Sequence, residues 1–214
     1  MFRYLFFDLD GTLADTEEGI ILSLRYALEK MGHPDVDDKV LHSFIGPPLK
    51  DAFMGHFGMS EQEALTTLAH YREYYSGGGL YRCRLFPGVE ALLQRLSGEG
   101  YGLFVATSKP EVYAKKILDH LGVAGLFCEI AGSLLDNTRT KKHEVIQYLL
   151  DKYPETKGDA LMIGDKAQDL VGAAKCGIPA VGVLYGYGSR EELSGEKSAA
   201  LVPSPEELYR FIAK

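Results

Sequence analysis

The sequence FFDLDGTLADT, residues Phe6–Thr16, contains two aspartates at the end of an apolar run. The apolar and aromatic run Tyr4–Phe7 leads directly into two aspartates, Asp8 and Asp10, which a glycine and a threonine follow. A continuous apolar run is typical of a strand that is covered on both faces of a parallel sheet. Because residues i and i+2 of a strand point the same way, both carboxylates are expected on one side of its carboxyl end.

The segments on either side of this strand differ in their predicted structure. Residues 15–82 show helical spacing of apolar residues, a capping box at Ser60 and Glu63, and no clear strand between Thr12 and Ser76. Predicted strands and helices then alternate through residues 83–214, a pattern that favours a parallel sheet with helices on both faces. We therefore predict an α/β domain, 1–14 with 83–214, and a helical insertion, 15–82. The glycine run Gly77–Gly79 predicts a hinge between them, with a loose surface loop as the alternative.

Composition excludes several classes of protein. The chain has 214 residues, of which 46% are hydrophobic, and its net charge of −7 argues against a nucleic-acid binder. A small anionic substrate remains compatible, because lysines, backbone amides and a metal can reverse the local field. No apolar stretch resembles a signal peptide or a membrane span, so we expect a cytoplasmic protein without membrane partners. The three cysteines form no CxxC pair and are expected to be reduced and mostly buried.

Polar residues follow four predicted strands, at the edge of the sheet where ligands bind in folds of this class. Each group alone has an ordinary explanation as a turn, a helix cap or a solvated face. Together they predict one pocket that holds up to four carboxylates, a hydroxyl and an ammonium group. The groups are Asp8–Thr12, Thr107–Lys109, Lys141 with Lys142, and Gly164–Asp169.

This set of residue types suits the hydrolysis of a phosphate ester. Clustered carboxylates repel one another, and a divalent cation relieves that repulsion; with oxygen ligands and no His or Cys, Mg²⁺ is favoured over zinc. The cation and a lysine can neutralise a phosphate group that hydroxyls and amides hold. One carboxylate can attack phosphorus while its neighbour transfers protons, so Asp8 and Asp10 can share these two tasks.

These motifs closely resemble those of the haloacid dehalogenase superfamily, in particular its phosphoglycolate-phosphatase-like branch with a helical cap. FDLDGTLADT (7–16) is similar to the first motif, VATSKP (105–110) to the second and MIGDKAQD (162–169) to the fourth. RTKKHEVI (139–146) is similar to the third and matches best with Lys142 as its lysine, although register alone does not exclude Lys141. GIPAVGVLYGYGSREEL (177–193) resembles the endings of the branch. The resemblance implies a Rossmann-like parallel sheet with an inserted helical cap.

The resemblance also implies catalytic roles. Asp8 would be the nucleophile and Asp10 the general acid/base. Thr107 and Lys142 would bind the phosphoryl group that is transferred. Ser108 stands where many members of the branch have Asn, and its backbone amide would contribute to the same phosphate site.

A metal site is implied as well. Mg²⁺ would be held by the Asp8 carboxylate, the Asp10 backbone carbonyl and Asp165. Asp169 would act on the metal directly or through water, or would orient the motif lysine. Because superfamily members that release a halide lack the second aspartate, Asp10 indicates an oxygen leaving group.

The sequence therefore predicts a Mg²⁺-dependent phosphatase that acts on a small phosphorylated metabolite, as a monomer or a homodimer, by way of an aspartyl-phosphate. A phosphoglycolate phosphatase is the first expectation, and a 5′-nucleotidase or a phosphosugar mutase is the alternative. A phosphoacceptor receiver domain is disfavoured by the helical insertion between Thr12 and Gly88. Four polar residues of the insertion and the loop 44–49 are candidates for substrate recognition or, equally, ordinary surface and turn residues: His42, Ser43, Lys50 and Arg72.

Overall fold

The apolar run at the start of the chain, Tyr4–Phe7, is an inner strand of a parallel sheet. The computed structural model describes residues 2–136 and 138–214. Within these residues the sheet has six strands in the order β5-β4-β1-β6-β7-β8, and each neighbouring pair is parallel. The predicted α/β fold is confirmed. The strands are β1 Tyr4–Phe7, β4 Gly102–Pro110, β5 Glu129–Ser133, β6 Ala160–Gly164, β7 Ala180–Val183 and β8 Ala200–Val202, with the two-residue strands β2 Ala14–Asp15 and β3 Arg84–Leu85 outside this sheet.

The chain divides into two compact units, Met1–Asp15 with Leu85–Lys214, and Thr16–Arg84. These bounds lie within two residues of the predicted division. The first unit carries the six-stranded sheet and the helices α5 Val89–Gly98, α6 Glu111–His120, α7 Lys142–Lys152, α8 Ala167–Lys175, α9 Arg190–Ser194 and α10 Pro205–Ile212. The second carries α1 Glu17–Lys30, α2 Asp38–Ser43, α3 Leu49–Phe57 and α4 Glu61–Ser76.

The first unit is organised around β1, which is hydrogen-bonded to β4 on one side and to β6 on the other. Phe7 lies opposite Val105 of β4 and Ile163 of β6, and all three side chains are buried. Since the three strands are parallel and in step, the residues that follow them emerge side by side at one edge of the sheet. The polar groups named above are therefore brought to that edge.

Side-chain caps fix the starts of two helices of the helical unit. At the start of α4 the Ser60 hydroxyl accepts a hydrogen bond from the Glu63 amide, and the Glu63 carboxylate accepts one from the Ser60 amide, so the predicted capping box is confirmed. The short helix α2 was not predicted, because its six residues show no apolar periodicity. Its start is fixed by Asp37, whose carboxylate accepts a hydrogen bond from the Lys39 amide at 2.7 Å.

Two sequence expectations are wrong. The strand β2 lies between Thr12 and Ser76, where none was expected, because two residues are too short to produce a periodic signal. The cysteines are free, and they are not mostly buried as was expected. Cys128 is exposed just before the edge strand β5, while Cys83 and Cys176 are half-buried.

The glycine run packs closely within the helical unit. Gly78 has φ +147°, which favours glycine, and Gly79 is buried in a 3-10 turn, Gly79–Tyr81. A Cβ atom on Gly19 of α1 would overlap the Gly79 carbonyl oxygen. The glycines here thus allow two backbone segments to approach each other.

Within residues 2–136 and 138–214, no helix has the length and hydropathy that crossing a bilayer requires.

Candidate active site

Three carboxylates lie together at the carboxyl edge of the sheet. Asp8 directly follows β1, Asp165 directly follows β6, and Asp169 lies in the first turn of α8. Each offers an oxygen atom, and these oxygens all lie within 4.8 Å of one another. The three residues are at most 4% exposed. Like charges at this spacing and burial repel strongly, so the cluster requires positive charge nearby.

Lys142 supplies part of that charge. It is the first residue of α7 and only 4% exposed, and its ammonium group lies 2.7 Å from Asp8 Oδ1 and 2.9 Å from Asp169 Oδ1. It also donates a hydrogen bond to the Ala106 carbonyl oxygen at 2.9 Å. Lys141, the residue before it, is exposed. Of the two adjacent lysines that register left open, Lys142 is the one that enters the carboxylate cluster.

Hydrogen bonds fix the orientation of Asp165. Its Oδ2 atom accepts from the backbone amides of Tyr187 at 2.9 Å and Gly188 at 3.3 Å, and its Oδ1 atom accepts from the Thr12 hydroxyl at 3.1 Å. Gly11 has φ +83°, and a Cβ atom there would overlap the Asp165 carboxylate. The loop after β7 and the turn after β1 therefore wrap this side chain closely. These contacts were not predicted, and the alternation of glycines in YGYG is their only signal in the sequence.

The charge balance of the cluster appears in its pKa values. Burial, followed by the charges of Asp169 and Asp8, raises the pKa of Asp165 to about 8. Burial also raises the pKa of Asp169, although the Lys142 ammonium opposes the change. For Lys142, burial acts to lower the pKa, but the charges of Asp169 and Asp8 outweigh it and raise the pKa. Among the residues that the structure describes, Lys142 carries the one ammonium group paired with these three carboxylates, which leaves an excess of negative charge.

The residues at the end of β4 provide hydroxyl groups. Thr107 is buried, and its Oγ1 atom accepts a hydrogen bond from the Lys109 amide at 3.2 Å. The Ser108 hydroxyl oxygen is buried without a hydrogen-bond partner among residues 2–136 and 138–214. A buried hydroxyl without a partner is costly unless a ligand or water completes it.

The side chain of Asp10 forms an ion pair with a lysine other than Lys142. Its Oδ2 atom forms an ion pair with Lys109 Nζ at 2.9 Å. The metal-ligand expectation for Asp10 concerned its backbone carbonyl, whereas the side chains that the structure groups are Asp8, Asp165 and Asp169. Sequence reasoning left the contribution of Asp169 open and gave Lys109 no role.

Comparison with known proteins identifies the family. A family model described as haloacid dehalogenase-like hydrolase matches residues 5–183. The chain belongs to this family. The predicted resemblance and the predicted enzyme class, a phosphoric monoester hydrolase, are confirmed together with it.

Several relatives carry the name of an activity. The chain is 46% identical over 189 residues to a 5′-nucleotidase of Pseudomonas aeruginosa, with 88% of this chain and 86% of that protein covered. It is 28% identical to a phosphoglycolate phosphatase of Aliivibrio fischeri, over 90% and 88% of the two chains. Tyrosine-protein kinase PtkA of Mycobacterium tuberculosis is 39% identical over 87% of this chain, which spans 63% of the kinase.

A solved structure shares the whole fold. The crystal structure described as a predicted phosphatase from Clostridium acetobutylicum has a TM-score of 0.96 and is 41% identical, with 100% of this chain and 99% of that chain covered.

Three of the four candidate side chains for substrate recognition contact partners inside the helical unit, namely His42, Ser43 and Lys50. His42 Nδ1 lies 2.6 Å from Glu17 Oε1, and Lys50 Nζ lies 2.9 Å from Glu61 Oε1. The Ser43 hydroxyl donates to a backbone carbonyl within α2, and Arg72 is half-buried on α4. His42, Lys50 and Ser43 thus have local structural partners, in keeping with the ordinary explanation offered for them.

Proposed function

We propose that the chain is a Mg²⁺-dependent phosphatase that hydrolyses a small phosphate monoester through an aspartyl-phosphate on Asp8. The observation that carries the proposal is the position of Asp8. Its carboxylate lies at the carboxyl edge of the sheet, 2.7 Å from the buried Lys142 ammonium and within 4.8 Å of oxygens of two further carboxylates. A nucleophilic carboxylate needs such surroundings, because it must approach the negative charge of a phosphate.

The donor set fits Mg²⁺. Oxygen ligands suit this hard cation, and the carboxylates of Asp8, Asp165 and Asp169 are buried with one lysine to balance three negative charges. The raised pKa of Asp165 reports the same excess of negative charge. Asp8 and Asp165 would hold the ion, with Asp169 beside them and the Asp10 carbonyl as a further ligand. When bound, Mg²⁺ supplies positive charge that neutralises phosphate oxygens.

The first chemical step is the transfer of the phosphoryl group. An Asp8 carboxylate oxygen forms a bond to phosphorus while the bond from phosphorus to the ester oxygen breaks. The electron pair of that bond stays on the ester oxygen, which takes a proton from the Asp10 carboxyl group and leaves as an alcohol. Thr107, Ser108 and Lys142 hold the oxygens of the phosphoryl group during this transfer.

The second step releases phosphate. The Asp10 carboxylate takes a proton from a water molecule, whose oxygen forms a bond to phosphorus. The bond from phosphorus to the Asp8 oxygen breaks, and its electron pair regenerates the Asp8 carboxylate. Asp10 is thereby protonated again, ready for the next ester, so the two aspartates complete a cycle with no other proton carrier.

Nucleoside 5′-monophosphates are the substrate class that we put first. The supporting observation is the 46% identity to a 5′-nucleotidase over most of both chains, compared with 28% for a phosphoglycolate phosphatase. Phosphoglycolate, the first expectation from the sequence, is the second candidate. Both esters release an alkoxide, which requires the proton that Asp10 provides.

The test is phosphate release from a panel of esters by the purified protein. The panel contains nucleoside 5′-monophosphates, phosphoglycolate and hexose phosphates, each with Mg²⁺ and with a chelator. We expect the highest kcat/KM for one nucleotide, no turnover in chelator, and none with Asp8→Asn. A mutase would give an isomeric sugar phosphate without free phosphate, and a receiver domain would remain phosphorylated.

The covalent step is tested by a burst experiment with p-nitrophenyl phosphate, whose acidic leaving group needs little protonation. Asp10→Asn lacks the base for the second step, so it should release a burst of nitrophenol. Its later turnover should be roughly 10²–10⁴-fold slower than that of the wild type. When the reaction with an ester that carries a labelled phosphate group is quenched with acid, labelled phosphate should remain covalently attached to Asp10→Asn. None should remain on Asp8→Asn. Wild-type turnover by Asp8→Asn would refute the aspartyl-phosphate.

A further inference from the structure

A second lysine enters the active-site region beside Lys142. Lys109 lies near the end of β4, two residues after Thr107, and is 9% exposed. Its Nζ atom lies 2.9 Å from Asp10 Oδ2, and the two side chains are 5% and 12% exposed. The family motifs quoted above give this lysine no role, and neither do the two steps of the proposed reaction.

Because the ion pair of Lys109 and Asp10 is buried, it depends on a fixed geometry of its two side chains. An exposed pair contributes little, whereas a buried one is costly to desolvate and persists only where its geometry is fixed. The two lysines also divide the carboxylates between them, because the Lys142 ammonium contacts Asp8 and Asp169 while the Lys109 ammonium contacts Asp10. The nucleophile and the acid/base group thus each have a cation of their own.

We propose that Lys109 is a positioning residue for Asp10, which it holds in the orientation that presents a carboxyl oxygen to the leaving group. This inference rests on the proposed function, since it assigns Asp10 as the general acid/base. The terminal torsion of an aspartate is broad, so an unrestrained carboxyl group samples many directions. With Oδ2 held by Lys109, the direction of Oδ1 is set as well. The Lys109 amide also donates to Thr107 Oγ1, which joins the phosphate-binding and acid-positioning groups in three consecutive residues.

The consequence is a selective loss when Lys109 is changed. In the first step the bond from phosphorus to the ester oxygen breaks, and that oxygen takes the Asp10 proton. An alkoxide depends on this proton, whereas a nitrophenolate departs without it. Lys109→Met should therefore lower kcat/KM by roughly 10- to 100-fold for alkyl phosphates, and by less than about threefold for p-nitrophenyl phosphate.

The experiment measures kcat/KM for a series of phosphate esters graded by the acidity of the alcohol that leaves. This ratio reports the first step and not the later hydrolysis, which is common to all esters. The plot of log kcat/KM against the pKa of the alcohol should be steeper for Lys109→Met than for wild type. The matched control is Lys141→Met, which removes one exposed ammonium nearby and should leave the slope unchanged.

A double-mutant cycle excludes a merely structural role. In an Asp10→Asn background the positioned acid is already absent, so adding Lys109→Met should cause no further loss with alkyl phosphates. The double variant also removes both members of the ion pair and so keeps the test available if Lys109→Met alone fails to fold. Inhibition by inorganic phosphate should be unchanged, since Lys109 does not hold the phosphoryl group.

The possible results are distinct. An equal loss for every ester, a weaker inhibition by phosphate, or an additive loss in the double variant would overturn the positioning role and make Lys109 a phosphate ligand or a structural residue. Failure of the proposed function would appear elsewhere, as wild-type protein without Mg²⁺-dependent turnover or as a fully active Asp8→Asn. The inference can thus fail while the proposed function stands.

Discussion

Replacing Asp165 by Asn should make the metal-free protein more stable at alkaline pH, although it removes a proposed metal ligand. Asp165 is buried beside Asp8 and Asp169, and these surroundings raise its pKa to about 8. Asn fits the same hydrogen bonds. Its amide oxygen can accept from Tyr187 and Gly188, as Asp165 Oδ2 does, and its NH₂ group can donate to the Thr12 hydroxyl.

The magnitude follows from the shift in pKa. For an acid whose pKa is higher in the folded state, stability is present below the unfolded value, 3.8, and is lost as the pH rises towards the folded value of about 8. Each pH unit in this window changes the free energy of unfolding by ~1.4 kcal/mol. Between pH 5 and pH 8 the wild type should therefore lose about 4 kcal/mol relative to Asp165→Asn.

The assay is urea unfolding in chelator, followed by far-UV circular dichroism, which suits a chain without tryptophan. The two proteins are compared at pH 5 and pH 8. The unfolding transition that shifts when Mg²⁺ replaces the chelator is assigned to the sheet unit. Mg²⁺ at a 100-fold excess over Kd should narrow the difference at pH 8, because it stabilises only the wild-type site, by about 2.7 kcal/mol. If the difference between wild type and Asp165→Asn in chelator does not change between the two pH values, the electrostatic account of the cluster is refuted.

Three further outcomes are expected. Lys142→Met should lose phosphatase activity and about 3–5 kcal/mol of stability, because it leaves buried carboxylates unpaired. Lys141→Met should change stability by less than ~0.5 kcal/mol. Unfolding and turnover are measured on both variants, and equal behaviour of the two would contradict this prediction. Ca²⁺ should restore little turnover to chelated protein, because it takes more ligands at longer distances; full activity with Ca²⁺ would argue against a Mg²⁺ site. Gly19→Ala should destabilise the helical unit by about 1–3 kcal/mol, because the added methyl group overlaps the Gly79 carbonyl. Gly55→Ala in α3 is the control: its methyl group meets open space, so it should stabilise the unit by roughly 1 kcal/mol. Equal unfolding midpoints for the two variants would refute the close packing.

The carboxylate cluster could be predicted from the sequence for a definite physical reason. Parallel strands that lie side by side end at one edge, so Asp8 after β1 and Asp165 after β6 are brought together by topology alone. An alternating pattern of strands and helices is enough to predict that topology. The assignment of Lys142 over Lys141 is different, because it depends on the turn at which α7 begins, and residue pattern leaves helix ends uncertain by one or two positions.

The contacts that orient the site could not be predicted, because they come from the paths of loops. The amides of Tyr187 and Gly188 reach Asp165 from a segment 22 and 23 residues away in sequence, after another helix and strand. The ion pair of Lys109 with Asp10 spans 99 residues and depends on side-chain direction at the ends of two strands. Periodicity carries information about which face of an element is buried, and it carries none about which loop closes over that face.

The glycine run shows how one residue type can serve two opposite purposes. Three consecutive glycines predict a flexible link when only their conformational freedom is considered. In the structure only Gly78 of the three has a positive φ angle, while Gly79 is buried where the backbone of α1 approaches at Gly19. The absence of a side chain allows an unusual backbone turn at Gly78 and close packing at Gly79. A hinge placed on this run would therefore have to break the packing of Gly79 against Gly19.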